Sequence, residues 1–223
     1  SAAALSVGAG YLYDPKEKSG LAHYLEHMLF LGTKKYPEVG SYKKFLDSHS
    51  GGSNAYTSGH ITNYFFQVSH NGFNEALDRF SDFFKAPLFD KTYAKREVKA
   101  VNNEHEKNKL RDGWRGNFVA NLMSEPGHPV GNFGTGNQKT LAGDNRPALL
   151  EFYKRFYAAS NMKLALISSM PMEILSGVAQ KYFSKIPDRP VKAPKISPEF
   201  RKPLKGQYRL LKIKTIKDVR SLE

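Results

Sequence analysis

The stretch Ser19-Gly20-Leu21-Ala22-His23-Tyr24-Leu25-Glu26-His27-Met28-Leu29-Phe30-Leu31-Gly32 places Leu21, Leu25, Met28 and Leu29 at helical spacing. Ser19 stands where a helix cap belongs, and Gly32 where a helix stops. Inside it, His23-Tyr24-Leu25-Glu26-His27 reads H-x-x-E-H. On a helix, that spacing sets two imidazoles on one face, four residues apart, with a carboxylate beside them. Neutral imidazole nitrogens suit Zn²⁺ at about 2.0–2.1 Å, and a catalytic zinc takes three protein ligands plus an open position for water. His23 and His27 supply two ligands. Glu26 suits a general base better than a ligand, because it can reach a zinc-bound water and accept its proton.

The third ligand has to come from elsewhere, and Arg96-Glu97-Val98-Lys99-Ala100-Val101-Asn102-Asn103-Glu104-His105-Glu106-Lys107 is the best source. Its pattern is helical. Glu97 and Glu104, seven apart, share a helix face two turns apart, so one can bind metal while the other orients a histidine through its second ring nitrogen. Spacing alone leaves open which does which. His49, His60, His70, His105 and His128 lack such partners and read as surface or hydrogen-bonded histidines.

Working outward, Ala3-Leu5-Val7-Ala9 alternates as a strand that ends at Asp14-Pro15. A short helix fits 41–48. Gly51-Gly52 then breaks the chain ahead of two strand-like runs, 53–58 and 61–69, joined by Gly59-His60. Phe73, Leu77, Phe80, Phe83 and Phe84 form an aromatic helical face that ends before Pro87 and reads as core. Long or broken helices are expected over 90–123, a helix over 149–156, a strand over 163–168, and a helix over 172–183 with Pro171 at its start. Prolines at 187, 190, 194, 198 and 203 predict an extended connector over 187–206, followed by a strand over 207–215. Strands and helices mix without βαβ regularity. The expectation is an α+β fold with a largely antiparallel β-sheet, residues 1–223 forming a single domain.

Composition narrows the function classes. The 223 residues contain no cysteine, which excludes disulfides, thiolate metal sites and cysteine nucleophiles, and leaves any metal to His and carboxylate. No apolar run is long enough to suggest a membrane span, and no signal peptide is visible at Ser1, so a cytoplasmic location is expected. The net charge of +13 invites a nucleic-acid reading, but residues 181–223 alone carry +9 and the first 180 residues only +4. Aromatic residues are sparse in that basic tail, which reads as a solvated linker; no nucleic-acid partner is expected. Gly134-Thr135-Gly136-Asn137-Gln138-Lys139-Thr140 lacks the glycine a phosphate loop needs before its lysine and reads as a turn.

Taken together, these residues resemble the insulysin and pitrilysin group, the insulinase-like inverted-zincin metallopeptidases. The likeness runs from Ser19 through the H-x-x-E-H motif to Leu31-Gly32-Thr33-Lys34-Lys35-Tyr36-Pro37. It continues in Ser53-Asn54-Ala55-Tyr56-Thr57-Ser58-Gly59, in Arg96-Glu97-Val98, in Glu104-His105-Glu106-Lys107-Asn108 and in Gly134-Thr135-Gly136-Asn137. Glu104 follows His27 by 77 residues, the separation at which the family carries its third ligand. The resemblance therefore implies one zinc ion on His23, His27 and Glu104, with Glu97 orienting a histidine. It also implies a β-sheet flanked by α-helices, repeated about four times along a chain roughly four times this length.

In the family, Asn54, Ala55 and Tyr56 match an edge strand that pairs with substrate backbone, and Phe30, Tyr56, Trp114 and Thr135 match a side-chain pocket beside the scissile bond. The function so implied is a zinc metalloendopeptidase domain that hydrolyses oligopeptides, an N-terminal fragment whose partners include the remaining homologous domains. The chain opens within the family's second strand, so a missing first strand and an unpaired sheet edge are also expected. A non-catalytic homologous peptide-binding or scaffold domain is the alternative; the complete set His23, Glu26, His27 and Glu104 argues against it.

Overall fold

A computed structural model describes residues 1–199 and 212–216. Four strands, β1 (Ala2–Val7), β2 (Gly52–Thr57), β3 (Thr62–Gln67) and β4 (Met162–Ile167), form one antiparallel sheet in the order β2-β3-β1-β4. Strand periodicity decides which side is core. Leu5 pairs with Tyr64 and with Leu164, and the same parity sends Ala3, Val7 and Phe66 inward, where they are buried. The opposite parity carries Ala2, Ala4 and Ser6 and the exposed Phe65 and Ile167. Among the described residues, β2 and β4 pair on one side only, whereas β1 is paired on both. Strand β1 is thus interior to the sheet, and the one-sided strands among the described residues are β2 and β4.

The α-helices among the described residues are α1 (Leu21–Leu29), α2 (Ser41–Ser48), α3 (Phe73–Asp82), α4 (Lys91–Lys109), α5 (Asp112–Leu122), α6 (Arg146–Phe156) and α7 (Met172–Phe183). Leu21, Leu25 and Leu29 of α1, Phe73, Leu77 and Phe80 of α3, and Leu149 and Phe156 of α6 share one core with the inward strand residues. The α+β class and the antiparallel sheet expected from sequence are both present. The aromatic face of α3 is core, with Phe80 5.2 Å from Phe66 and 5.3 Å from Phe84, ring centre to ring centre.

Four local expectations need correction. Ser19 does not cap α1; Gly20 takes the cap position in the left-handed region at φ +91. Asp14 does the capping from six residues upstream, its Oδ2 accepting the Gly20 N–H at 2.6 Å and its Oδ1 the Ala22 N–H at 2.8 Å. The helix stops at Leu29, before Leu31, and Gly32 at φ +116 turns the chain away. Pro171 is the residue ahead of α7, not its first. The helical region after Asp90 is broken at Leu110-Arg111 into α4 and α5. Residues 187–199 contain neither helix nor strand, and 200–206 lie outside the described residues. The strand expected over 207–215 falls largely outside them as well, and its described part, 212–215, is not a strand.

Candidate metal centre

Every turn of α1 is enclosed: Leu21, Ala22, Tyr24, Leu25, Met28 and Leu29 are each no more than 1% exposed, so the helix that carries the histidines is pinned on nearly all sides. Tyr24, between the two histidines, donates its hydroxyl to the Ala94 carbonyl of α4 at 2.7 Å. That bond ties α4 to α1 and fixes where Glu97 and Glu104 reach the imidazoles. At the other end of α1, Gly20 lies so close to Gly136 that a Cβ there would be 2.1 Å from the Gly136 Cα. This brings the Thr135 loop against His23.

The hydrogen bonds fix the histidine tautomers. His23 Nδ1 lies 2.9 Å from the Thr135 carbonyl and His27 Nδ1 lies 2.7 Å from Glu97 Oε1. A carbonyl and a carboxylate can only accept, so both Nδ1 atoms carry hydrogen and, in the neutral rings, both Nε2 atoms are bare. The two Nε2 atoms are 3.2 Å apart, and Glu104 Oε2 is 3.5 Å from each. Three lone-pair donors thus converge with no hydrogen between them, an arrangement that only a cation or an added proton makes favourable. The spacing also fits zinc: a point about 2.0–2.1 Å from all three atoms lies within about 0.7 Å of their plane, leaving one side open for a fourth ligand. Among the described residues these three are grouped as donors able to hold one metal ion.

Proton affinities follow from the same contacts. Burial, and then the neighbouring His27 charge, lower the His23 pKa. Burial also opposes charge on His27, but the Glu104 and Glu97 carboxylates outweigh it and raise its pKa to about 9. The His27 hydrogen bond lowers the Glu104 pKa against partial burial. Glu26, 7% exposed, is pushed up to about 7 by burial, although Thr57 opposes the rise by donating its hydroxyl to Oε2 at 2.6 Å. Burial thus brings this carboxylate close to the neutral range in which a base is effective.

The centre opens into a cleft of 1540 Å³ that all the sequence-predicted substrate residues line: Phe30, Asn54, Ala55, Tyr56, Trp114 and Thr135. Tyr56 and Trp114 are 49% and 42% exposed, whereas Phe30 also packs on Phe83 at 5.3 Å and so belongs partly to the core. The free edge of β2 borders the cleft, with Asn54 Oδ1 accepting the Ala55 N–H at 2.9 Å. The other histidines stay away from the donor triangle. His105 is nevertheless buried, packed edge-on against Phe133 at 4.6 Å, and not at the surface. Sequence reasoning missed Thr57, the backbone role of Thr135 and the amide of Asn108, which is buried one turn beyond Glu104 and donates to Thr135 Oγ1 at 3.4 Å. Thr57 reaches Glu26 only through the register of β2 with β3, which no local pattern carried.

Comparison with known proteins gives consistent matches. Residues 1–127 match the family described as insulinase (peptidase family M16), and residues 145–221 match the peptidase M16 inactive domain. Human insulin-degrading enzyme is 43% identical over 231 residues, covering 100% of this chain and 22% of that protein. A putative zinc protease of Schizosaccharomyces pombe, mug138, is 44% identical over 202 residues, covering 87% of this chain and 21% of that one. The crystal structure of pitrilysin superposes with a TM-score of 0.86 at 36% identity, covering 90% of this chain and 22% of the other. The chain therefore spans about a fifth of the length of the relatives it matches. No helix among the described residues is long and apolar enough to cross a membrane. With more than half of its residues matched by the insulinase description, and with the motif and fold to correspond, the chain belongs to the insulinase family, peptidase family M16.

Proposed function

We propose that this chain carries the zinc centre of a metalloendopeptidase that hydrolyses oligopeptides. The observation that carries the reading is the triangle of donor atoms on His23, His27 and Glu104, with separations of 3.2, 3.5 and 3.5 Å, beside the buried carboxylate of Glu26. Bound there, zinc would act as a Lewis acid, acidifying water and stabilising negative charge on the substrate carbonyl oxygen. The rest falls to the protein. Glu97 and the Thr135 carbonyl hold the two rings in the ligating tautomer. Glu26 takes the proton of the attacking water and can return it to the leaving amine. The free edge of β2 at Asn54, Ala55 and Tyr56 accepts the peptide main chain as an added strand, and Phe30, Tyr56, Trp114 and Thr135 contact the side chain beyond the cut bond.

His23, Glu26, His27 and Glu104 all lie in the part matching the insulinase description, not in 145–221, which favours a catalytic over a scaffold role. Residues 1–223 act here as one unit of a longer protein, with 187–206 as its connector. Because the chain spans only about a fifth of the length of its relatives, the homologous remainder supplies a further wall that completes the substrate chamber, and the chain alone binds zinc but cleaves slowly. A cytoplasmic location belongs to the same reading. Metal analysis of the purified protein beside Glu104→Gln is the test: stoichiometric zinc lost in the variant supports the site, and no zinc in either sinks it. Full turnover by the 223-residue chain, abolished by Glu26→Gln, would instead refute the need for a second wall.

A further inference from the structure

The shortest polar contact of Glu26 is with a residue outside the metal motif. Thr57 closes β2, and its pairing with Thr62 turns it, like Ala55, toward α1, while Tyr56 between them faces away. Thr57 Oγ1 lies 2.6 Å from Glu26 Oε2. A second hydroxyl, Thr62 Oγ1, is 3.5 Å from Thr57 Oγ1, but Thr62 spends its one hydrogen on the Ala9 carbonyl at 2.8 Å. It therefore cannot donate to Thr57. The proton of Thr57 is left for the carboxylate, and the carboxylate, an acceptor only, takes it at the short distance expected of a charge-assisted bond. Glu26 sits on the largely buried helix α1 and Thr57 on the strand whose free edge borders the cleft.

From this geometry we infer that Thr57 is a positioning residue for Glu26: its hydroxyl anchors Oε2, so that Oε1 is the oxygen left to work on water, and it links the base to the strand that receives the peptide. The inference rests on the zinc-peptidase reading for its consequence but not for its geometry. A freely turning carboxylate would present either oxygen in several orientations. Anchoring one oxygen removes that freedom before substrate arrives. The role also requires a hydroxyl rather than bulk, which separates it from simple packing on β2.

The test compares the zinc-loaded protein with Thr57→Val, which keeps the branched shape suited to a strand, and Thr57→Ser, which keeps the hydroxyl. Glutamate labelled with ¹³C at the side-chain carboxyl gives a Glu26 resonance identified by its loss in Glu26→Gln. In Thr57→Val that resonance should shift by more than its linewidth and in Thr57→Ser return to its wild-type place, with zinc affinity within about threefold throughout. Peptide hydrolysis should lose about tenfold in kcat at unchanged KM in Thr57→Val and recover in Thr57→Ser, a part of the 10²–10⁴ that a general base contributes. An unmoved resonance in Thr57→Val, or a shift that serine does not reverse, overturns the inference. Should Thr57→Val fail to fold, the wild-type protein still decides: a slowly exchanging Thr57 hydroxyl proton close to Glu26 supports the bond, and its absence overturns it. A wild-type chain that binds no zinc would sink the peptidase reading alone, since the carboxyl resonance is read equally well without metal.

Discussion

Zinc binding to this chain should displace a proton, and the pH dependence of its affinity can be worked from the donor contacts. Without metal, the three converging lone pairs are relieved by a proton on His27, whose imidazolium burial disfavours but which Glu104 and Glu97 raise to a pKa of about 9. His23 is lowered and contributes none. A ligating nitrogen must be bare, so below the His27 pKa each bound ion releases one proton. Apparent affinity then climbs about tenfold per pH unit, about 100-fold or about 2.7 kcal/mol across two units, and levels off once His27 is already neutral. Below about 7 the climb steepens, because the dication also draws the proton from Glu26, whose pKa burial holds near that value. Competition against a chromophoric chelator, corrected for its own protonation, measures the slope. Calorimetry in buffers of different ionisation enthalpy counts the protons. A dissociation constant that stays flat between about pH 7 and 9, with no proton released, would refute the placement of Glu97 and Glu104 against His27.

Two substitutions probe the support of the centre. Glu97→Gln removes the charge from the 2.7 Å partner of His27 Nδ1 while keeping an acceptor, and should weaken zinc about 10–100-fold with little change in melting temperature, read by the same competition assay. Gly20→Ala sets a side chain at φ +91 and drives its Cβ to 2.1 Å from the Gly136 backbone; denaturant unfolding should show a loss of about 2–4 kcal/mol, and a loss below about 0.5 kcal/mol would mean that the Gly20–Gly136 approach is not tight.

What could be read from sequence divides along a physical line. The core strands and α3 were legible because burial on one side imposes its period directly on Ala3, Leu5 and Val7 and on Phe73, Leu77 and Phe80. His23, Glu26 and His27 were legible because a single helix sets their geometry. Glu104 and Glu97 were not separable by period, since a spacing of seven gives them the same face. The Tyr24 bond to Ala94 does what spacing cannot, fixing α4 so that Glu104 meets both Nε2 atoms while Glu97 meets the opposite nitrogen of His27. The cap of α1 and the anchor of Glu26 were hidden for a similar reason. Asp14 and Thr57 act across six and 31 residues, through a turn and a strand register that local pattern does not encode.

Charge distribution is compatible with a dication site on a strongly basic chain. The formal charge is +13, with much of the excess in residues 181–223, yet Glu26, Glu97 and Glu104 all line one cleft. With both histidines neutral, these three carboxylates give the cleft a local charge opposite to that of the chain. Surrounding low-dielectric walls focus such a field, so the cleft attracts cations although the molecule as a whole repels them. The same carboxylates repel one another when no cation is present, and Glu26 is the most buried of them. Proton uptake by His27 lessens that repulsion, and burial, by raising the pKa of Glu26, lessens it further. A zinc ion held there would replace both. On the zinc-peptidase reading, an ion bound beside Glu26 would hold that carboxylate, whose pKa burial raises to about 7, in its ionised form, the form a base needs.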